Sequence, residues 1–244
     1  MASPHRSQFL AGVRAELPIL VGVVPFGLIF GAVAVSGGLP PLLAQAMSSV
    51  VFAGSAQFIG AQLMAGGAPA LVLLATTAVV NLRHLLYSAS LAPQVRHLPL
   101  RWRLLLAYLL TDEAYAVTIV HYTDPDSPPA TRHWYYLGAG LALWTSWQIS
   151  TALGVFFGAA VPASWSLDFA LALTFIGIVV PTLRDRPHTG AALSAALVAA
   201  LTFAWPYKLG LMAAALTGIV VGVVLESRYG THAGRRVVDQ EAQP

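Results

Sequence analysis

The chain has 244 residues, of which 57% are hydrophobic and 9% charged, whereas a soluble domain needs roughly 25% charged residues to solvate its surface. This composition excludes an ordinary soluble domain and indicates a protein that is solvated mostly by lipid. The lack of cysteine excludes disulfides, thiol catalysis and cysteine-bound metals. The basic residues that give the net charge of +3 lie in loops and at segment ends, so they indicate contact with anionic lipid headgroups rather than with nucleic acid.

Apolar runs bounded by proline, glycine and charge predict an all-α, polytopic helix bundle with about eight transmembrane helices. No charged residue or histidine occurs between Glu16 and Arg83, and about 20 apolar residues are enough to cross a bilayer once. Because the loops are short, we expect one integral membrane domain over 1–244, with polar tails at 1–16 and 227–244. If one span is re-entrant, seven crossings remain. The predicted spans are 17–35, 41–65, 68–92, 103–121, 134–160, 166–183, 188–205 and 207–226.

The distribution of lysine and arginine over the loops predicts that both termini are cytoplasmic, because positive charge is retained on the cytoplasmic side. In this orientation most of the basic loop residues lie inside. The arginine-rich loop at 96–103 opposes this orientation, so the second half of the chain supports it better than the first.

The first span contains residues that disturb a helix. Pro25 lacks an amide hydrogen and frees a carbonyl one turn back, and Gly27 and Gly31 form a G-x-x-x-G pair. One interpretation is a kinked helix that packs closely on a neighbour. The other is a discontinuous helix whose exposed amides receive a substrate carboxylate. We therefore expect a kinked or broken first helix, with Pro25 and Gly27 as site candidates.

The second span has no charge but contains the run Phe-Ala-Gly-Ser-Ala-Gln-Phe from Phe52 to Phe58. Gln57 needs hydrogen-bond partners in a dry environment, and Gly54 can break the helix beside it. Close helix packing is the alternative explanation for the small residues in this run. Ser55 and Gln57 are site candidates.

The third span carries polar residues that are costly in lipid and are therefore functional candidates. Asn81 and His84 share one predicted helix face with Thr77 and Ser88, and Arg83 lies off that face. An arginine this far into an apolar run costs about 2.5–3.5 kcal/mol on insertion scales. We therefore expect Arg83 to have a carboxylate partner, and Asn81, Arg83 and His84 are site candidates.

The fourth span supplies that carboxylate. Asp112 and Glu113 are adjacent, and their side chains point about 100° apart on a helix, so one can pair with Arg83 while the other faces a cavity. A structural pair alone is one interpretation. Coupling to a proton or to the substrate is the other, because a partly buried carboxylate titrates near neutral pH.

Two later positions are weaker candidates. Gln148 lies in mid-span with Trp144 and Trp147, whose rings either wall a pocket for a hydrophobic side chain or pack in the core. Asp168 opens the sixth span, where the helix dipole alone favours a carboxylate. The sequence contains no H-E-x-x-H, G-x-S-x-G or Walker A motif, so nothing supports an enzyme, a metal site or a cofactor.

Taken in order, these motifs resemble the AzlC family of branched-chain amino acid permeases. The resemblance implies export of branched-chain and related hydrophobic amino acids across the bacterial cytoplasmic (inner) membrane, a small AzlD-type membrane subunit as partner, and a proton or another coupling ion as the energy source. The matching elements are Pro25-Phe26-Gly27 with Phe30-Gly31, the run from Phe52 to Phe58, Asn81-Leu82-Arg83-His84, Thr111-Asp112-Glu113, and Asp168 within Leu-Asp-Phe-Ala.

The main hypothesis is a secondary exporter. The substrate carboxylate would lie at the broken first or second helix, its ammonium would meet Asp112 or Glu113, and its aliphatic side chain would lie against apolar residues. Two other classes compete with this one. A passive channel for small solutes predicts a continuous polar lining, and a structural membrane subunit predicts activity only in a transport complex.

Overall fold

The computed structural model describes residues 3–158, 183, 185–206 and 209–241. All regular elements within these residues are α-helices, which confirms the all-α prediction. Most of the predicted sixth span, including Asp168, lies outside the described residues. The helices are α1 (Pro4–Ser36), α2 (Pro41–Val50), α3 (Gly54–Ala65), α4 (Ala70–Asn81), α5 (Arg83–Val95), α6 (Leu100–Tyr108), α7 (Asp112–Thr123), α8 (Arg132–Gly158), α9 (Arg186–Leu201) and α10 (Leu209–Glu241).

Two of the described helices are long and apolar enough to cross a membrane, namely α1 and the Leu209–Arg228 part of α10. The pair α4 and α5, which is bent by 43° at its break, makes a third if it counts as one span. The predicted total of about eight is therefore not confirmed. Large apolar side chains such as Leu42, Leu71 and Phe203 are exposed, as expected for a surface that contacts lipid.

The first helix is continuous through Pro18 and Pro25, so the prediction that it is broken is wrong. Each proline removes one amide donor, and this local loss does not end a helix that packs closely along α8. The helix also starts earlier than predicted, because Ser3 accepts a hydrogen bond from the Arg6 amide and Pro4 begins the first turn. Residues 4–16, assigned above to a polar tail, belong to α1.

Glycines allow α1 and α8 to approach backbone to backbone. A Cβ added at Gly12 would collide with the backbone of α8 at Tyr135, and one at Gly31 would collide with the backbone at Gly154. Early residues of α1 therefore meet early residues of α8, and the two helices run parallel. The G-x-x-x-G pair of the first span is confirmed as a packing motif.

The next three predicted spans are each divided into two helices. The second span is interrupted between α2 and α3, where Phe52 has a φ of 43°, a left-handed conformation that is rare for a bulky residue. The third span bends at Leu82, between α4 and α5. The fourth is interrupted at 109–111, between α6 and α7. The chain therefore does contain broken spans, but they begin with the second one.

The chain divides into two compact units, 1–67 with 81–171, and 68–80 with 172–244. In the first unit α1, α2, α6 and α7 pack against α8, α1 also contacts α3 and α7, and α5 contacts α7. In the second unit α9 packs against α10. The candidate residues that the structure describes all lie in the first unit.

Candidate functional site

Three of the divided spans begin their second helix beside the Arg83 side chain. Arg83 is the first residue of α5, Asp112 is the first residue of α7, and Ser55 lies in the first turn of α3. Arg83 Nη1 is 2.6 Å from Asp112 Oδ2, and Arg83 Nη2 donates a hydrogen bond of 2.7 Å to Ser55 Oγ. The carboxylate partner expected for Arg83 is confirmed as Asp112. We call Ser55, Arg83 and Asp112 the polar hub.

The polar hub lies where helices begin and end. The N-terminus of a helix carries a partial positive charge and the C-terminus a partial negative charge, and the starts of α3, α5 and α7 follow closely on the ends of α2, α4 and α6. The two charged side chains are 32% and 34% exposed, so the hub is only partly buried. Amide groups at the helix starts can donate hydrogen bonds to an anionic group, such as a carboxylate, that reaches the hub from water.

Gln57 is fully buried and lies at the break between α2 and α3. Its Oε1 accepts a hydrogen bond of 3.2 Å from the Ala53 amide, so the side chain caps the start of α3. Its Nε2 has no hydrogen-bond partner among the described residues. An unsatisfied buried donor costs about 1–3 kcal/mol, and this makes Nε2 a natural contact for a water or a ligand.

Three other buried atoms of the predicted candidates also lack partners within the described part of the chain. They are Nε of Arg83, Oδ1 of Asp112 and Oδ1 of Asn81. Together with Gln57 Nε2 they provide two donors and two acceptors. An amino acid zwitterion requires both kinds of group, donors for its carboxylate and acceptors for its ammonium.

Aromatic rings lie on the other side of the start of α3. Phe26 stacks on Phe58 with ring centroids 4.6 Å apart, and Phe30 contacts both Phe58 at 5.5 Å and Trp147 at 6.2 Å. A Cβ added to Gly54 would lie 3.1 Å from the Phe26 ring and 3.2 Å from that of Trp147. Phe26, Phe30, Phe58 and Trp147 form the aromatic cluster. Gly54 contacts this cluster, whereas its neighbour Ser55 belongs to the polar hub.

The sequence over residues 18–161 matches the family described as AzlC protein. The chain belongs to the AzlC family. It is 27% identical to the inner membrane protein YgaZ of Escherichia coli over 90% of both chains, and 28% identical to the branched-chain amino acid transport protein AzlC of Bacillus subtilis over 78% of both. An uncharacterized membrane protein of Archaeoglobus fulgidus is 29% identical over 87% of this chain and 93% of its own. No solved structure matches the chain.

Two AzlC-family motif residues of the first helix lie apart from the polar hub. Gly27 packs against Ser150 and Trp147 of α8, and a Cβ there would meet the Ser150 side chain. Pro25 is exposed and faces away from this contact. Gly27 therefore serves the packing of α1, as the packing interpretation predicted, and it borders the aromatic cluster through Trp147.

Asn81 and His84 lie at the bend between α4 and α5. His84 Nδ1 is 3.3 Å from the Asn81 carbonyl oxygen, and its ring contacts Tyr87 at 5.9 Å. The predicted helix face that joins them to Thr77 and Ser88 is interrupted, because the helix bends by 43° between Asn81 and Arg83. The bend is what allows Arg83 to begin a new helix.

Gln148 holds α8 against α2. Its Oε1 accepts hydrogen bonds from Gln45 Nε2 at 2.9 Å and Ser49 Oγ at 2.8 Å, and its Nε2 donates to the Ser48 carbonyl at 3.1 Å. Ser48 Oγ also lies 3.1 Å from Thr151 Oγ1. These bonds explain five polar residues of the second and fifth spans as contacts between helices, namely Gln45, Ser48, Ser49, Gln148 and Thr151.

Glu113 has a neighbour that the sequence did not point out. Glu113 lies in the first turn of α7, and its carboxyl interacts electrostatically with that of Glu16 on α1, which packs against α7. Glu16 is fully buried, and both of its carboxyl oxygens lack hydrogen-bond partners among the described residues. The overlooked signal is spacing, because Glu16 lies four residues after Gly12 and seven before Val23, on the packed face of α1.

Proposed function

We propose that this chain is the large subunit of a secondary transporter that exports branched-chain and other hydrophobic amino acids across the bacterial inner membrane, driven by an ion gradient. Its family and the name of the Bacillus subtilis relative support this class of substrate. The observation that carries the proposal is the start of α3, where Gly54 contacts the aromatic cluster and Ser55 belongs to the polar hub. A small molecule there meets charged groups at one end and rings at the other.

The polar groups suit the two charges of a zwitterion. The substrate carboxylate would take hydrogen bonds from Arg83 Nε and Gln57 Nε2, two buried donors without partners among the described residues, close to the N-terminus of α3. The ammonium would meet Asp112 Oδ1, the carboxyl oxygen that does not contact Arg83 and has no hydrogen-bond partner in the described part of the chain. Helix breaks in membrane transporters commonly hold substrates in this way.

The aromatic cluster suits an aliphatic side chain. Full burial of a valine or leucine side chain contributes about 1.5–3 kcal/mol, and one methylene changes discrimination by roughly 10–200-fold. We therefore expect valine, leucine and isoleucine to be transported better than alanine, and better than amino acids with charged side chains.

The test is efflux of a panel of labelled amino acids from cells that express the chain with and without a small AzlD-type subunit. We expect net export of branched-chain amino acids against their gradient, abolished by a protonophore and reduced in the double variant Asp112→Asn with Glu113→Gln. Downhill flux that is insensitive to the protonophore would identify a passive channel instead. Efflux that does not depend on this chain when the partner is present would identify a structural subunit.

A mutant cycle separates substrate contact from a purely structural ion pair. Arg83→Gln and Asp112→Asn each leave one partly buried charge unpaired, and breaking a fully buried pair costs about 3–5 kcal/mol, so each variant should lose somewhat less stability than that. The double variant leaves neither charge and should regain most of the lost stability. If Arg83 and Asp112 bind the substrate, its efflux stays low. Recovery of both stability and efflux would make the pair structural and would remove the hub from the proposal.

A further inference from the structure

The segment 41–65, which contains α2 and α3, leaves the end of α1 and returns to it. α2 begins shortly after α1 ends and leads to the break before Gly54, where a Cβ would lie 3.1 Å from the Phe26 ring, halfway along the predicted first span. α3 then runs back, because the Ala65 Cβ lies 3.3 Å from a Cβ added at Gly37, just beyond the end of α1. We call this segment the first hairpin.

The segment 100–123, which contains α6 and α7, leaves the start of α8 and returns to it. α6 begins there, since the rings of Trp102 and Trp134 lie 5.0 Å apart. α7 ends at the same place, because His121 near its end stacks on Tyr135 with ring centroids 3.8 Å apart. The chain therefore turns back at the break between α6 and α7. We call this segment the second hairpin.

The two hairpins open toward opposite ends of α1. This helix runs parallel to α8, and its His5 stacks on Trp134 at 5.2 Å, so the second hairpin opens at the start of α1 and the first at its end. α1 itself is long and apolar enough to cross the membrane. Each arm of the hairpins has 9–12 residues and rises about 14–18 Å. An arm of this length reaches the middle of a hydrocarbon core of roughly 30 Å but not its far face.

The tips of the two hairpins meet at the polar hub. Tyr108, at the end of α6, donates a hydrogen bond of 2.6 Å to the Ser49 carbonyl near the end of α2. Arg83 contacts both tips, at 2.7 Å to Ser55 Oγ and at 2.6 Å to Asp112 Oδ2. The first hairpin thus lies between the hub and one end of α1, and the second lies between the hub and the other end.

We propose that the two hairpins enter the membrane from opposite faces without crossing it, and that they are the two gates of the substrate site, each opening the polar hub to one face. The gating part rests on the proposed function. A zwitterion that takes over the bond of Arg83 to Ser55 or to Asp112 releases one tip while the other stays bound, so the hub opens to one face at a time.

The arginine-rich loop at 96–103 then lies on the same face as the N-terminus. Two of the eight predicted spans do not cross, and the loop no longer opposes the orientation with a cytoplasmic N-terminus. The basic residues gathered at this end of the first unit are Arg6, Arg96, Arg101, Arg103 and Arg132.

Labelling of single cysteines in oriented vesicles tests the topology, and the chain has no cysteine of its own. With a membrane-impermeant maleimide, Ser7→Cys and Asp126→Cys mark the face of the N-terminus and Ser36→Cys marks the other face. We expect His97→Cys to label with Ser7→Cys, and Ala65→Cys to label with Ser36→Cys. Eight simple crossings would reverse both assignments, and reversal of either one would overturn the inference.

A disulfide between Gly37→Cys and Ala65→Cys tests the gating. The Cβ separation of 3.3 Å is close to the 3.5–4.5 Å of disulfides, and the bond would tie α3 to the end of α1. In vesicles that also contain the small partner subunit, we expect oxidation to lower counterflow of labelled valine at least tenfold and reduction to restore it. The control pair, Ala191→Cys with Gly222→Cys, has the same separation of 3.3 Å within the second unit, which contains neither hairpin, and should retain counterflow when oxidised.

Three results would overturn the gating: undiminished counterflow in the oxidised Gly37–Ala65 pair, an equal loss in the control pair, or failure of Gly37→Cys and Ala65→Cys to form a disulfide. Absence of valine counterflow in wild type would overturn the proposed function instead. The cysteine labelling needs no transport, so it would still decide whether the hairpins cross the membrane.

Discussion

Replacing Gly31 with alanine tests the contact that holds α1 on α8. A Cβ at Gly31 would lie 2.6 Å from the amide nitrogen of Val155 and 2.8 Å from the carbonyl carbon of Gly154, closer than the 3.0 Å below which real Cβ atoms are essentially never found. These are backbone atoms, so a rotamer change cannot relieve the collision and the helices must separate.

The size of the effect follows from two opposing contributions. Overpacking of this kind costs about 1–3 kcal/mol, and the upper end applies because the contacted atoms are backbone. Alanine in place of glycine returns about 1 kcal/mol of helix propensity. Gly31→Ala should therefore lose about 2 kcal/mol of unfolding free energy. Gly22→Ala in the same helix has nothing within 4 Å of its Cβ and should gain up to about 1 kcal/mol.

The difference between the two variants isolates the steric cost, because the propensity contribution is common to both. At about 3 kcal/mol it corresponds to roughly 6–12 °C in melting temperature for a chain of this size. The measurement is thermal unfolding of the purified protein in detergent. Equal melting temperatures for Gly31→Ala and Gly22→Ala would show that α1 and α8 do not touch at Gly31, and the parallel packing of these helices would have to be abandoned.

Two further predictions concern caps. Gln57→Met leaves the buried Ala53 amide without its acceptor but also removes the unpartnered Nε2, and each change is worth about 1–3 kcal/mol with opposite sign. The unfolding free energy in the same thermal assay should therefore stay within about 1 kcal/mol of that of Gln62→Met, a substitution in the same helix that breaks no described hydrogen bond. A much larger loss in Gln57→Met would show that Nε2 has a partner after all. Asp185 accepts hydrogen bonds from the backbone amide and the ring of His188, and these bonds lower the pKa of Asp185 below its usual 3.8. The stabilisation that this cap gives to the start of α9 is therefore fully present above pH 3.8. It is lost as the pH falls through the lowered pKa, because the carboxylate becomes protonated. Hydrogen exchange at the start of α9 should show this loss in wild type and not in Asp185→Asn, whose amide oxygen caps at every pH.

The sequence predicts the polar hub better than it predicts the helices that build it. Arg83 in an apolar run needs a counter-charge on energetic grounds, and the fourth span contains the acids Asp112 and Glu113, so the ion pair follows without a structure. The sequence does not tell which of the two acids pairs with Arg83, because they are adjacent in the chain. That choice depends on the start of α7 at Asp112, which is fixed by the Thr111 cap.

The helix breaks are difficult to predict from the sequence, because proline and glycine indicate only the local energetic cost of continuing a helix. Pro25 lacks a donor and yet leaves α1 intact, since α8 packs closely on this helix from Phe9 to Gly31. The α2–α3 break contains no proline, and it places Phe52 in an unfavourable left-handed conformation. Tertiary contacts outweigh the backbone preference there, because the Phe52 ring is buried and packs 5.8 Å from that of Tyr108.

A break in lipid leaves backbone groups that must find partners, and this explains why the polar motifs lie at the breaks. Tyr108 donates to the Ser49 carbonyl at the end of α2, Gln57 accepts from the Ala53 amide at the start of α3, and Thr111 accepts from the Ala114 amide in α7. Much of what the motifs do is therefore structural.

Some polar atoms at the breaks have no partner among the described residues and are therefore available to a ligand. The hydroxyls of Tyr108 and Thr111 form hydrogen bonds within the protein. Gln57, Arg83 and Asp112 also form such bonds, but each keeps one polar atom without a partner among the described residues, namely Nε2, Nε and Oδ1. A side chain retained only for capping would need no second polar end in a place where that end is costly. These unbonded atoms, rather than the motifs as a whole, support the proposal that the hub and Gln57 bind a substrate.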